Sequence, residues 1–226
     1  MKRSFRPRTQ FLLALLAASL VSVGLYLYGA WRNHSWEFGY LNWNLFLAWL
    51  PLFFAGWLVI ILKRKRWSSW EGILATILWL LFLPNSFYMV SDFVHLQDAA
   101  RVDVLFDAVM FSSFIFIGVA LGLSSLFLVH IQFRKRFNSG VVLTWLAAIF
   151  LLCGFAIYLG RDLRWNSWDV LTNPGGLLFD VSDRAIHPRS YPQMFLTTGS
   201  FAVMLANIYM LSYRGVQLLH PSRRLR

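Results

Sequence analysis

Cysteine is almost missing: Cys153 is the single one in 226 residues. No disulfide can close within one chain, and no CxxC redox or metal motif can exist. Cys153 sits inside an apolar run, where a small buried side chain is its ordinary role. The phosphate-cradling GxxxxGKS/T, the zinc-binding HExxH and the nucleophile-elbow GxSxG patterns are all absent. Haem ligation by two facing imidazoles is excluded by depth, because His130 and His95 fall near opposite ends of their apolar runs. There is no low-complexity tract and no separate soluble segment. The likeness of LNWN at 41–44 to LRWN at 163–166 spans too few positions for a duplication. The paired broken helices of many inverted-repeat transporters are also missing, although Pro51 and Pro84 are partial breaks.

Charge is scarce as well, at 14% of residues against 58% hydrophobic and 18% aromatic. A soluble core of this size has no use for such long apolar runs. A helix needs about 20 apolar residues to cross ~30 Å of hydrocarbon. The sequence supplies six such runs, at 11–31, 43–62, 70–90, 105–131, 141–160 and 194–213. They are continuous and lack the in-out alternation of a barrel strand, so the expected class is all-α, a single integral membrane domain over 1–226. The first run follows a basic start and holds Ala17, Ala18 and Ser19, as a signal peptide would. It continues well past them to Trp31, which favours an uncleaved anchor over a cleaved signal.

The charges that do occur are sorted by side. Lys2, Arg3, Arg6, Arg8, the runs at 63–66 and 134–136, Arg214, Arg223, Arg224 and Arg226 fall at one end of the spans. All ten acidic residues except Glu71 fall at the other. The positive-inside tendency makes the basic side cytoplasmic and leaves both termini inside. The pI of about 10.4 therefore reflects topology and attraction to anionic membrane lipids, not nucleic acid, for which these loops are too short to build a surface. Trp31, Trp36, Trp43, Trp165 and Trp168 gather at the outer boundary, and Trp67 and Trp70 at the inner one, as interfacial belts.

Three polar stretches meet at the outer face. Pro84 cannot donate a backbone hydrogen bond, so the third helix is expected to bend or end there, with Asn85 either satisfying freed backbone or touching a ligand. Asp92 and His95, three apart, would share a helical face as half of a metal site, as a base with its orienting acid, or as ordinary interfacial polarity. Asp98, Asp103, Asp107, His34 or His187 would have to complete a divalent-metal site. Asp107 lies one turn into an apolar helix, so it should face a cavity or a partner, for which an arginine of 161–164 is the natural candidate. In "RDLRWNSWD", helical geometry would set Arg161 and Arg164 on one face beside indoles, suited to an anion or to pairing with Asp92, Asp107 or Asp169. Gly118, Gly122, Ser124 and Ser125 form a small-residue face for close helix packing, a theme that Gly199, Ala202 and Ala206 repeat. The long outer loop, 161–192, is a candidate cap.

The stretches NWNLFLAWLP (42–51), LPNSFYMVSDFVHL (83–96) and YLGRDLRWNSWD (158–169) resemble the signatures of a multi-pass membrane family, the domain of unknown function 1361 family. The resemblance implies a bacterial inner-membrane protein and carries no activity with it. Where that pattern often has a second proline, this chain has Phe87. The leading expectation is an outward-facing pocket of Asn44, Asn85, Asp92, His95, Asp107, Arg161, Arg164, Asn166 and Asp169 that binds an anionic, lipid-linked ligand. An enzymatic version, acting on envelope lipid or assisted by metal, would use Asp92 and His95 as its general base pair. The alternatives are a small-solute or ion transporter working through Asp107, and an accessory membrane protein whose polar network is structural.

Overall fold

The computed structural model describes residues 7–96, 104–165 and 169–219. Asp98, Asp103, Asn166 and Trp168 lie outside the described residues. Every regular element among the described residues is helical. In chain order they are α1 (Pro7–Asn33), α2 (Tyr40–Ile61), α3 (Trp70–Tyr88), α4 (Val104–Arg134), α5 (Ser139–Asp162), α6 (Pro174–Ile186) and α7 (Pro192–Leu219). A 3-10 segment, Met89–His95, prolongs α3, and single turns occur at Glu37–Gly39, Asp169–Thr172 and Pro188–Ser190. All but α6 are long and apolar enough to cross a membrane, six in number, so this is a multi-pass membrane protein. Their outward surfaces agree: Phe53, Phe116, Leu143 and Leu211 are each more than 60% exposed, which an aqueous surface would not tolerate in such density.

Helix starts follow the side chains. Ser69 accepts from the Gly72 N–H at the head of α3, and Asn138 accepts from the Val141 N–H at the head of α5. Asn173 does the same for the Gly176 N–H, with Pro174 in the first helical position of α6. Pro84 does not end α3, which runs another turn to Tyr88 before tightening into the 3-10 segment. Side chains next to the prolines add bonds to backbone carbonyls. Asn85 Nδ2 donates to the Phe82 carbonyl at 3.2 Å, and the Ser86 hydroxyl donates across to the Ala48 carbonyl of α2 at 2.9 Å, close to Pro51.

The packing runs from α1 through α4 and α2 to α3, then to α5 and α7. Two buried clusters divide it, one around Phe111, Phe114 and Leu41, the other around Trp79, Phe87 and Leu205. The small face of α4 is used as anticipated: a Cβ on Gly122 would fall 2.7 Å from the Phe87 ring of α3. On α7 the close approach involves the Thr198 backbone against Gly154 of α5, while Gly199 itself has nothing within 4 Å. Two side-chain pairs, His130 with Tyr209 and Arg134 with Tyr213, tie α4 to α7.

Pro7 and Leu219 lie at the same end as Arg8, Lys63 and Arg134 when six spans alternate; this is the basic end. The links following α1, α3 and α5 lie at the opposite, acidic end.

Candidate ligand cavity

Near the acidic end, α2, α3 and α5 enclose a cavity of about 470 Å³, within the range of small-molecule sites. Its floor is α3, which packs against both α2 and α5. Those two form no extensive interface of their own among the described residues. The half-exposed Trp43 stands at the cavity edge on α2.

The lining changes character along the helix axes. Toward the acidic end it is Tyr40, Asn44, Asn85, Tyr88, Asp92 and His95. One turn deeper on each helix it becomes Leu47, Leu81 and Ala156, with Leu159 between the two zones. A hydrogen-bonding mouth thus continues into an apolar recess.

The local geometry explains how Asp92 and His95 meet there. In a 3-10 helix residues i and i+3 eclipse each other. The Met89–His95 segment therefore points both side chains to one side, and both line the cavity. Asp92 is only 2% exposed and accepts a hydrogen bond from Asn44 Nδ2 at 3.1 Å. The more exposed His95 ring meets Tyr40 edge-on, with centroids 5.5 Å apart. Among the described residues no three histidine, cysteine or acidic side chains gather as a metal site. His34 is exposed in the turn after α1, and His187 pairs with Asp183.

The other expected site residues stand outside the cavity lining. Asp107 is 3% exposed in the first turn of α4. Arg161 donates to the Ser91 carbonyl at 3.1 Å, close enough to Asp92 for its charge to act there. The double guanidinium face does not form, because α5 stops at Asp162 and Arg164 adopts a left-handed backbone with φ of 60°. The Trp165 N–H closes that turn on the Leu159 carbonyl at 3.1 Å. Asp169 begins a separate helical turn and accepts from the Thr172 hydroxyl. Asn166 lies outside the described residues.

The chain reversal at Arg164 has a geometric result: it turns Trp165 back over the cavity, where Val170 and Leu177 join it. Trp165 Nε1 donates to Asp180 Oδ2 at 2.8 Å. Asp180 also receives Arg184 Nη1 at 3.3 Å, and the same nitrogen reaches the Asp180 carbonyl at 2.8 Å. Arg184 is 7% exposed; its guanidinium donates through Nε to the Tyr158 hydroxyl of α5 at 3.2 Å and lies 4.7 Å from the Tyr191 ring centroid. Farther along, the Tyr191 hydroxyl and His187 both bond Asp183, which holds its carboxyl below the usual range, Tyr191 having the larger effect. The same bond pushes the Tyr191 phenol up. Sequence reading passed over Asp180, Arg184, Asp183 and Tyr191. Their signal was the i, i+4 spacing of Asp180 with Arg184 and of Asp183 with His187 behind an Asn173–Pro174 start.

Neither the curated proteins nor the solved structures contain a match to the chain. The family model described as "Protein of unknown function (DUF1361)" matches residues 43–206, from the cavity edge at Trp43 onward. The chain belongs to that family.

Proposed function

We propose that this is a bacterial inner-membrane protein with both termini cytoplasmic, and that its cavity opens at the outer leaflet and binds a lipid-linked ligand. The observation that carries the reading is the graded lining: Asn44, Asn85, Asp92 and His95 above Leu47, Leu81 and Ala156. An amphipathic molecule has the same order of parts. Its polar head would sit among the amides, carboxylate and imidazole, and its chain would pass down between α2 and α5. The segment around α6 acts as a cap, contributing Trp165, Val170 and Leu177 over the recess.

The head is better matched as a hydrogen-bond donor than as an anion. Arg161 and Arg164, on which an anionic ligand was expected to rest, stand outside the lining, and the acidic side chain within it is the buried Asp92 carboxyl, held by Asn44. The Asp92 carboxyl and the side-chain oxygens of Asn44 and Asn85 all offer hydrogen-bond acceptors. A hydroxyl-rich or amine-bearing head meets that requirement, and Arg161 supports Asp92 from behind through Ser91. The test uses vesicles containing the protein and one of three diazirine-acyl probes: a neutral glycolipid, phosphatidylglycerol or phosphatidylcholine. Labelling of α2, α3 and α5 should be strongest with the glycolipid and fall in Asn44→Ala. Strongest labelling by phosphatidylglycerol would return the site to an anion, and equal labelling by all three would end the proposal.

A further inference from the structure

A second hollow lies at the basic half of the bundle, between α1 and α2, with a volume of about 560 Å³. Its lining is apolar throughout: Leu12 of α1, and Trp49, Leu52, Phe53, Gly56 and Ile60 of α2. From Trp49 to Ile60 the groove follows α2 for roughly 16 Å at 1.5 Å per residue. That is about half of a ~30 Å hydrocarbon core, the depth of one leaflet. At its end the chain changes abruptly. Arg8 lies one turn before Leu12, and Lys63 and Arg64 follow Ile60 after two intervening residues; all three are exposed.

Gly56 is the unusual residue of the groove. A glycine in a helix interior lowers helix stability relative to alanine, and it is commonly kept where another backbone or side chain must come close. Gly122 and Gly154 fit that explanation, since an added Cβ would collide with Phe87 and with the Thr198 backbone. Around Gly56 nothing lies within 4 Å. Gly24, Gly199 and Gly215 are equally open, so Gly56 marks only that the groove has room at its middle.

We infer that the α1–α2 groove is a binding site for an anionic glycerophospholipid of the leaflet at the basic end, with one acyl chain along Gly56 and its phosphate head held by Arg8, Lys63 and Arg64. Lipid tails gain little from contact with leucine rather than with other tails, so an empty apolar groove does not select among lipids by its chemistry alone. Selection comes from the head. Each lysine or arginine near a membrane surface favours an anionic lipid by roughly fivefold.

The experiment is native mass spectrometry of the full chain released from nanodiscs of equal phosphatidylglycerol and phosphatidylcholine, counting lipids retained per protein. The wild type should keep one phosphatidylglycerol in preference. Gly56→Phe, which fills the groove, should reduce that retained species about tenfold, while Gly56→Ala leaves it unchanged. The combined Arg8→Ala, Lys63→Ala, Arg64→Ala variant leaves the groove intact and should remove the preference for phosphatidylglycerol. It decides the matter by itself if Gly56→Phe does not fold. Equal retention of both lipids by the wild type overturns the inference. So does a change from dimer to monomer in Gly56→Phe with lipid retention unaltered, which would make the groove a contact between copies of the chain.

Discussion

Replacing Arg184 by alanine should loosen the segment over the cavity without unfolding the bundle. The side chain is 7% exposed and joins three parts: the Asp180 carboxylate and carbonyl of α6, the Tyr158 hydroxyl of α5, and the Tyr191 ring. Hydrogen bonds to a charged group contribute ~1.5–3 kcal/mol when buried. Asp180 is 30% exposed, so water recovers part of that loss and the low end applies, about 2 kcal/mol. Such a change multiplies the open population of α6 by roughly thirtyfold. Hydrogen exchange followed by mass spectrometry reads it directly, in the regime where reclosing is faster than exchange. Peptides covering residues 174–190 should exchange roughly thirtyfold faster, with α2 to α5 unaffected. Arg184→Lys keeps the charge but loses the planar fork and the ring stacking, so it should fall between. Acceleration below about threefold in Arg184→Ala would refute the view that this guanidinium holds the segment down.

Arg164 should show the strain of its left-handed backbone. Both Arg164→Gly and Arg164→Ala remove the side chain, but only glycine accepts φ of 60° freely, so the glycine variant should be the more stable by about 1 kcal/mol in thermal melts. Gly154→Ala should cost about 1–3 kcal/mol by forcing α5 from the Thr198 backbone, with the loss visible as a lower melting temperature. Asp183 predicts a pH response confined to the cap. Because its folded-state value is depressed, the stabilisation is complete above the ordinary carboxylate value of about 4 and is lost as pH falls through the lower, folded value. Exchange of residues 183–191, corrected for intrinsic rates, should stay flat from neutral pH down to about 4 and rise only below it, and Asp183→Asn should abolish the rise.

The six spans were legible because hydropathy and length alone decide them. The structural helices extend the expected limits by only a few residues at most ends. Asp92 and His95 were also readable as a pair, since their spacing of three suits either helix type. Pro84 was half legible: the sequence left a bend or an end open, and α3 runs on to Tyr88 with Asn85 bonding backbone at the Phe82 carbonyl as expected. The arginine pair misled for a different reason. Periodicity assumes that the helix continues, and the left-handed turn at Arg164 is a backbone choice that an arginine codon does not announce. In RDLRWNSWD the helix stops at Asp162, and the turn at Arg164 brings Trp165 to the cavity, bonded to Asp180. The segment 161–192 was read as a candidate cap, but the helical form of α6 was hidden by its composition, because Leu177, Leu178 and Phe179 among polar residues read as loop.

The central claim is that an acyl-linked ligand occupies the graded cavity. Ala156→Phe tests it most directly, since it fills the apolar recess while leaving Asn44, Asn85, Asp92 and His95 in place. With melting temperature and monodispersity verified, photolabelling of Leu81 and Leu159 by the diazirine glycolipid should fall about tenfold, the effect of excluding about 1.4 kcal/mol of binding. Undiminished labelling of those residues in a folded Ala156→Phe protein would contradict the account.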